Sequence, residues 1–153
     1  MEFRKAAQED IEKLVAVRVD FLAECGHAAT PEERDVLKRM NVEYFSESLA
    51  DGSLAVWLAE EDGKIVATGS VSFCRRPPNK YVPSGKCAYI GSIFTYPAYR
   101  KQGIGTKIFE LMVREAKAAG CGRIELHATE MGRPLYERFG FEPSASYMTI
   151  FVE

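Results

Sequence analysis

The run from Cys87 to His127 constrains the fold more than any other part of the chain. Residues 87–95 read as a strand, and Pro97 ends it. Gly103 to Ala119 then repeats apolar residues at helical spacing through Ile104, Ile108, Leu111, Met112 and Ala116. Arg123 to His127 alternates again, Ile124 and Leu126 against Arg123 and Glu125. Strand, helix and strand in that order form a crossover unit, whose two strands are parallel neighbours. The preceding strands are joined differently. Leu54–Ala59 and Ile65–Phe73 flank Glu61-Asp62-Gly63-Lys64, where Asp-Gly supplies the positive φ angles of a hairpin, so they pair antiparallel. The expected fold is therefore α/β, a mixed sheet with helices on both faces.

The remaining elements fit around that unit. Phe3–Ala6 reads as a short strand. From Gln8 to Cys25, Ile11, Leu14, Val15, Val17, Arg18, Phe21 and Leu22 recur on one helical face, and Gly26 is a stop. Thr30-Pro31-Glu32-Glu33 starts a second helix, with Thr as N-cap, Pro at the first position and Glu closing a capping box. It runs to about Leu49 and ends at Asp51-Gly52. Arg75–Gly85 is the longest loop and holds three prolines. Arg133–Phe139 reads as a short helix closed by Gly140, and Tyr147–Val152 as a terminal strand. No repeat or linker divides the chain, so residues 1–153 read as a single domain.

A net charge of −2 gives no reason to expect nucleic acid. No apolar run approaches the roughly 20 residues of a membrane span, and no signal peptide is visible at Met1-Glu2-Phe3-Arg4-Lys5. Cys25, Cys74, Cys87 and Cys121 lie far apart with no C-x-x-C pair, which argues against a metal and for a reducing, cytoplasmic setting. The charge is unevenly spread. Residues 1–63 carry 15 acidic and 7 basic side chains, and residues 64–153 carry 7 and 13. A basic C-terminal half suits a polyphosphate ligand and an acidic N-terminal half a cationic one, although solvated acidic helix faces give the same balance.

Between the first crossover strand and its helix stands Tyr99-Arg100-Lys101-Gln102-Gly103-Ile104-Gly105-Thr106. Two glycines opening a helix expose unpartnered amides at the positive end of its dipole, where phosphate binds. The loop lacks the third glycine of a dinucleotide fingerprint and the Gly-Lys-[Ser/Thr] of a Walker loop. A tight turn with no ligand fits the same residues. Arg-x-x-Gly-x-Gly also resembles the acyl-CoA pyrophosphate loop of the GNAT superfamily, the acyl-CoA-dependent N-acyltransferases. Leu135-Tyr136-Glu137 followed by Gly140-Phe141 resembles that family's second signature. The likeness covers residues 53–153, and the two N-terminal helices in order and length.

The resemblance implies a largely antiparallel sheet whose one parallel pair splays apart, acetyl-CoA as donor, no metal, and a small-molecule or peptide amine as acceptor. It implies direct attack in a ternary complex, and it leaves room for a homodimer. By position, the Ile93 amide would face the acyl carbonyl and the Thr95 amide would hold pantetheine, with a β-bulge near Gly91-Ser92-Ile93. Arg100, Lys101, Gln102, Gly103, Ile104, Gly105 and Thr106 would meet the pyrophosphate, with Arg133 or Arg138 within reach of a phosphate. Tyr136 matches the tyrosine that protonates the departing thiolate; on its own residues, without the resemblance, it reads as core beside Leu135 and Phe139. Two departures stand out. The acid or histidine that many members carry on the first crossover strand is missing, with Tyr89 and Gly91 in its place. The usual asparagine after the second strand is replaced by Ala128-Thr129-Glu130. The ammonium proton must leave through water or another residue. His127 is the nearest candidate, and a structural histidine fits the same place. Glu43 and Glu47, four apart on the second helix, either draw in an amine or form a solvated face. An acyl-CoA-binding regulatory module without turnover is the alternative function; Tyr136 separates the two, because binding needs no proton donor.

Overall fold

The computed structural model describes residues 1–144 and 146–152. Its strands are β1 (Glu2–Lys5), β2 (Leu54–Glu61), β3 (Lys64–Arg75), β4 (Lys86–Thr95) and β5 (Arg123–Leu126), and its helices are α1 (Ile11–Glu24), α2 (Pro31–Asp51), α3 (Ile104–Ala118) and α4 (Arg133–Arg138). Single helical turns at Gln8–Asp10 and Pro97–Tyr99 lead into α1 and into the loop before α3. The sheet order is β1-β2-β3-β4-β5, antiparallel throughout except for β4 and β5. The hairpin turn has Asp62 at φ 50° and Gly63 at φ 75°, the two positive angles expected of Asp-Gly. Helix α2 starts on its capping box, with Thr30 Oγ1 accepting from the Glu33 amide and Glu33 accepting from the Thr30 amide.

Two apolar clusters sandwich the sheet. On one face Ile108, Phe109 and Met112 of α3 are fully buried against Val66, Val71, Ala88 and Ile90. Each large side chain buried there contributes on the order of 1.5–3 kcal/mol. On the other face Leu14, Val15 and Val17 of α1 and Phe45 of α2 pack on Val56, Leu58 and Phe94. Gly69 lets α3 come close: a Cβ there would sit 2.8 Å from the Ile108 methyl and 2.7 Å from the Met112 thioether.

The terminal strand expected over 147–152 is absent among the described residues. No segment there pairs with the outer edge of β5, and Met148, Ile150, Phe151 and Val152 are exposed. The sequence has a strand's composition, but a strand exists only as a member of a ladder, and this one has no partner.

Candidate functional site

Pairing between β4 and β5 runs only from Cys87↔Arg123 to Ile90↔Leu126. Beyond Ile90 the two strands part, leaving one edge of β4 open from Gly91 to Thr95. At the same point β4 bulges. Thr68 faces Phe94 and Ser70 faces Gly91, so Gly69 alone opposes Ser92 and Ile93. Ser92 takes φ 53°, an angle that costs a non-glycine residue roughly 1–3 kcal/mol. The bulge inverts the strand's alternation. Ala88 and Ile90 pack with α3, while Phe94 packs with α1 and α2.

Backbone direction follows from one hydrogen bond. The Tyr96 amide donates to Val66 O of β3 at 3.0 Å. Amides alternate sides along a strand, so Phe94 N–H also points to β3, and the Ile93 and Thr95 amides point to the open edge. Side chains brace the bulge from two directions. Ser70 Oγ donates to Gly91 O at 3.1 Å, and Arg18 Nη1, reaching from α1, donates to Ser92 Oγ at 3.0 Å.

The loop before α3 turns through Lys101 at φ 61° and Gly103 at φ 79°. The first amide of this region with an intrahelical partner is that of Lys107, which donates to Gly103 O at 3.0 Å. Among the described residues no acceptor meets the amides of Gln102, Gly103, Ile104, Gly105 or Thr106. Thr95 lies beside them: its Oγ1 is 3.6 Å from where a Gly105 Cβ would stand. The open edge of β4 therefore runs toward a row of free amides at the positive end of α3. Arg100 is turned elsewhere. Its Nε donates to Thr95 O at 2.8 Å and its Nη2 pairs with Glu24 at 2.6 Å, which fastens the loop to α1.

Tyr136 leans on the α3 side, its ring centroid 5.0 Å from that of Phe109. Gly132 makes room for it: a Cβ there would come within 2.7 Å of the hydroxyl. Burial pushes the Tyr136 phenol above its ordinary value, so it stays protonated through neutral pH. Among the described residues its hydroxyl has no hydrogen-bond partner.

Where β4 and β5 part, on the face opposite α3, Tyr89 Oη lies 3.0 Å from His127 Nδ1. The parallel register sets Tyr89 against Glu125, and His127 follows two residues later on the same side. The Tyr147 ring packs against His127 with centroids 4.6 Å apart. Burial, with a contribution from Tyr147, raises the Tyr89 phenol. Glu125 is committed to Arg76, which makes two hydrogen bonds to it at 2.8 and 2.9 Å. Glu43 and Glu47 are exposed on α2.

Sequence reasoning thus named the loop, the open strand and Tyr136. It did not foresee the Tyr89–His127 contact or the link from Arg18 to the bulge. The available signal for the second was an arginine among the apolar positions of α1. Among the described residues no three His, Cys, Asp or Glu side chains are grouped to hold a metal ion, and no helix is long and apolar enough to cross a membrane.

Residues 17–141 match the model of the acetyltransferase (GNAT) family. The fold is similar to that of a predicted acetyltransferase from Clostridium acetobutylicum solved with acetyl-CoA, with TM-score 0.85, 33% identity, and 98% of this chain and 95% of that one covered. Among curated proteins the chain is 32% identical over 90 residues to glucosamine 6-phosphate N-acetyltransferase 1 of Dictyostelium discoideum, covering 58% of this chain and 55% of that protein. It is 26% identical over 104 residues to glucosamine 6-phosphate N-acetyltransferase of Arabidopsis thaliana, covering 67% of each.

Proposed function

The chain belongs to the GNAT family of acetyltransferases, and from that premise we propose that it moves the acetyl group of acetyl-CoA to a primary amine of a small molecule or peptide by direct attack in a ternary complex. The observation that carries this reading is the open edge of β4, with the Ile93 and Thr95 amides unpaired by β5, running into the free amides of residues 102–106. In this reading pantetheine lies along the open edge and holds the Thr95 amide, and the pyrophosphate sits on the start of α3. Arg100 serves by fixing the loop rather than by touching phosphate.

The chemistry then needs three things. The amine nitrogen attacks the thioester carbon, so a C–N bond forms as the C–S bond breaks. The Ile93 amide donates to the oxyanion, a contribution of about 2.7–4 kcal/mol for a well-aimed donor. Tyr136 gives its proton to the departing sulfur and is restored by the second proton that the nitrogen sheds as the amide forms. The ammonium must first lose a proton, and the Tyr89–His127 pair is the acceptor we favour: it stands where the strands part, on the acceptor side, and Glu125 nearby is engaged with Arg76. The named relatives act on glucosamine 6-phosphate, a small primary amine, which puts amino-sugar phosphates first in an acceptor panel. Four unpaired cysteines fit a reducing cytoplasm. A homodimer covering the exposed apolar residues after Tyr147 belongs to the same proposal, and light scattering of the chain with and without those residues tests it.

The functional test is thiol release from acetyl-CoA across amines, amino acids, amino sugars and short peptides, with Tyr136→Phe alongside. We expect release to require an acceptor and to fall at least tenfold in the variant while CoA affinity holds. CoA binding without release for any acceptor would overturn the reading. Undiminished release in the variant would remove Tyr136 from the mechanism.

A further inference from the structure

Arg18 stands apart from the other arginines of the N-terminal half. Its side chain is half-buried between α1 and the sheet, and that burial lowers the guanidinium pKa from the ordinary arginine value. Removing a cation from water is costly unless an anion repays it. Here the only hydrogen-bond partner among the described residues is a neutral one, Ser92 Oγ at 3.0 Å. The two carboxylates that follow it on α1 are engaged elsewhere: Asp20 with Tyr96 at 2.6 Å and Arg34 at 3.8 Å, and Glu24 with Arg100 at 2.6 Å. The Phe21 ring, 5.5 Å from the guanidinium carbon, covers one side.

The remaining donors line a small cleft between α1, α2 and the sheet. Phe21, Phe45 and Val56 form its apolar wall, and Thr68, Ser70 and Ser92 bring hydroxyls. Its volume, about 20 Å³, admits one oxygen atom or one water. Ser92 is the bulge residue, directly before Ile93. The cleft therefore lies on the α1/α2 side of the strand, one residue from the amide assigned to the oxyanion.

We propose that Arg18 anchors an anionic subsite, so that the acceptor is an amine carrying an oxyanion, a carboxylate or a phosphate, a few bonds from its nitrogen. The inference rests on the acetyltransferase reading above and names its substrate class. One oxygen of the ligand enters the cleft between the guanidinium and the hydroxyls, and the amine reaches back past Ser92 to the thioester. A guanidinium–oxyanion hydrogen bond is among the strong ones available to a protein, and Arg offers it in a fixed fork. The acidic balance of residues 1–63 does not oppose this. The carboxylates nearest Arg18 on α1 are tied to other partners, and the charge met at the bulge is positive.

The test uses the full chain and three matched acceptors: β-alanine, 2-aminoethyl phosphate and the neutral propylamine. In wild type, kcat/KM for at least one oxyanion-bearing acceptor exceeds that for propylamine by tenfold or more, and the better of the two identifies the ligand as carboxylate or phosphate. Arg18→Gln lowers that ratio at least tenfold, through KM rather than kcat. Thermal unfolding confirms that the variant is folded. A wild type without preference, or an Arg18→Gln variant that loses the two classes by one common factor, would overturn the proposal, the latter because loss of a mere brace does that. A second readout does not depend on turnover: calorimetric binding of inorganic phosphate and of acetate to protein saturated with CoA, which covers the start of α3. At least one anion should bind ten times more weakly to Arg18→Gln. Such binding with no transfer to any amine would sink the acetyltransferase reading and keep the subsite. Transfer without preference and without anion binding would do the reverse.

Discussion

The two faces of the sheet are held in different ways. The α3 face is an apolar cluster drawn from one helix and the strands beneath it, and in the proposed reading it meets the donor mostly with backbone, the open edge of β4 and the free amides before Lys107, with Tyr136 as its reacting side chain. The α1/α2 face has an apolar cluster of its own, but polar side chains pin it at its margins. Arg4 joins Asp10 and Glu60, Arg18 joins Ser92, Tyr96 joins Asp20, and Arg100 joins Glu24. The last three links span 74, 76 and 76 residues of chain. A backbone site belongs to a short motif and moves with it. A side-chain site depends on two distant segments arriving together. The donor is a cofactor common to the family, so a site made of backbone suffices; the acceptor is particular to each member, and side chains are what can vary.

The bulge sits between the two faces and turns Phe94 to the α1/α2 side, where it is buried. Phe94→Ala should cost about 3–5 kcal/mol, because removing a large buried ring leaves a cavity in that cluster. Thermal unfolding reads this directly. A loss below about 1 kcal/mol would mean that Phe94 does not anchor the α1/α2 face.

Acid separates the faces next. The Arg4 guanidinium, first by hydrogen bonding, holds the Asp10 carboxyl at about 2, below its ordinary 3.8. A carboxyl depressed on folding stabilises the protein fully above the unfolded value and loses that contribution as pH falls toward the folded one. The contribution near neutrality is about 2 kcal/mol, and it should fade between about pH 4 and pH 2. Asp10 also accepts from the Ala7 amide at 2.8 Å and so sets the entry to α1. Hydrogen exchange near pH 3 should show α1 opening while α3 stays protected, and Asp10→Asn should weaken the native protein at pH 7 and flatten its acid limb. Simultaneous opening of both helices would erase the distinction between the faces.

Legibility in the sequence follows the same division. The crossover unit and its loop were readable because helical periodicity, two glycines and the capping residues are all local. The placement of the Ile93 and Thr95 amides at the open edge followed from the family likeness, and the Tyr96–Val66 hydrogen bond now gives a geometric reason for it. The Tyr89–His127 contact was not readable, because it depends on β4–β5 register, which neither strand specifies alone. Arg18 occupied an inward position on α1 in the periodicity, but nothing local revealed Ser92 as its partner. Tyr147–Val152 failed for a related reason: alternation describes a strand's own side chains and says nothing of the edge that must receive it.

On the donor side Gly103→Ala tests conformation. Gly103 holds φ 79° with open space around the missing Cβ, so crowding is not the issue. An alanine in that backbone region is strained by roughly 1–2 kcal/mol. Relief by turning the peptide would re-aim the amides that follow. Calorimetry should show CoA binding weakened about tenfold, the equivalent of about 1.4 kcal/mol, with the melting of α3 little changed. Unchanged affinity would mean that the donor does not rest on those amides.

Gly105, two residues on, should behave in the opposite sense, and the contrast isolates what the loop's glycines are for. It lies inside the first turn of α3 with no positive φ, and its Cβ would meet only Thr95 Oγ1, at an ordinary 3.6 Å. Alanine there removes backbone freedom from the unfolded chain and adds helix propensity, so Gly105→Ala should stabilise the protein by about 0.5–1 kcal/mol. Its amide keeps its direction, and CoA affinity should hold within twofold. If affinity falls as stability rises, the ligand lies against the Cα of Gly105, and the second glycine serves close approach rather than amide direction. The donor side would then also depend on the absence of a side chain at one position, which narrows the difference between the two faces.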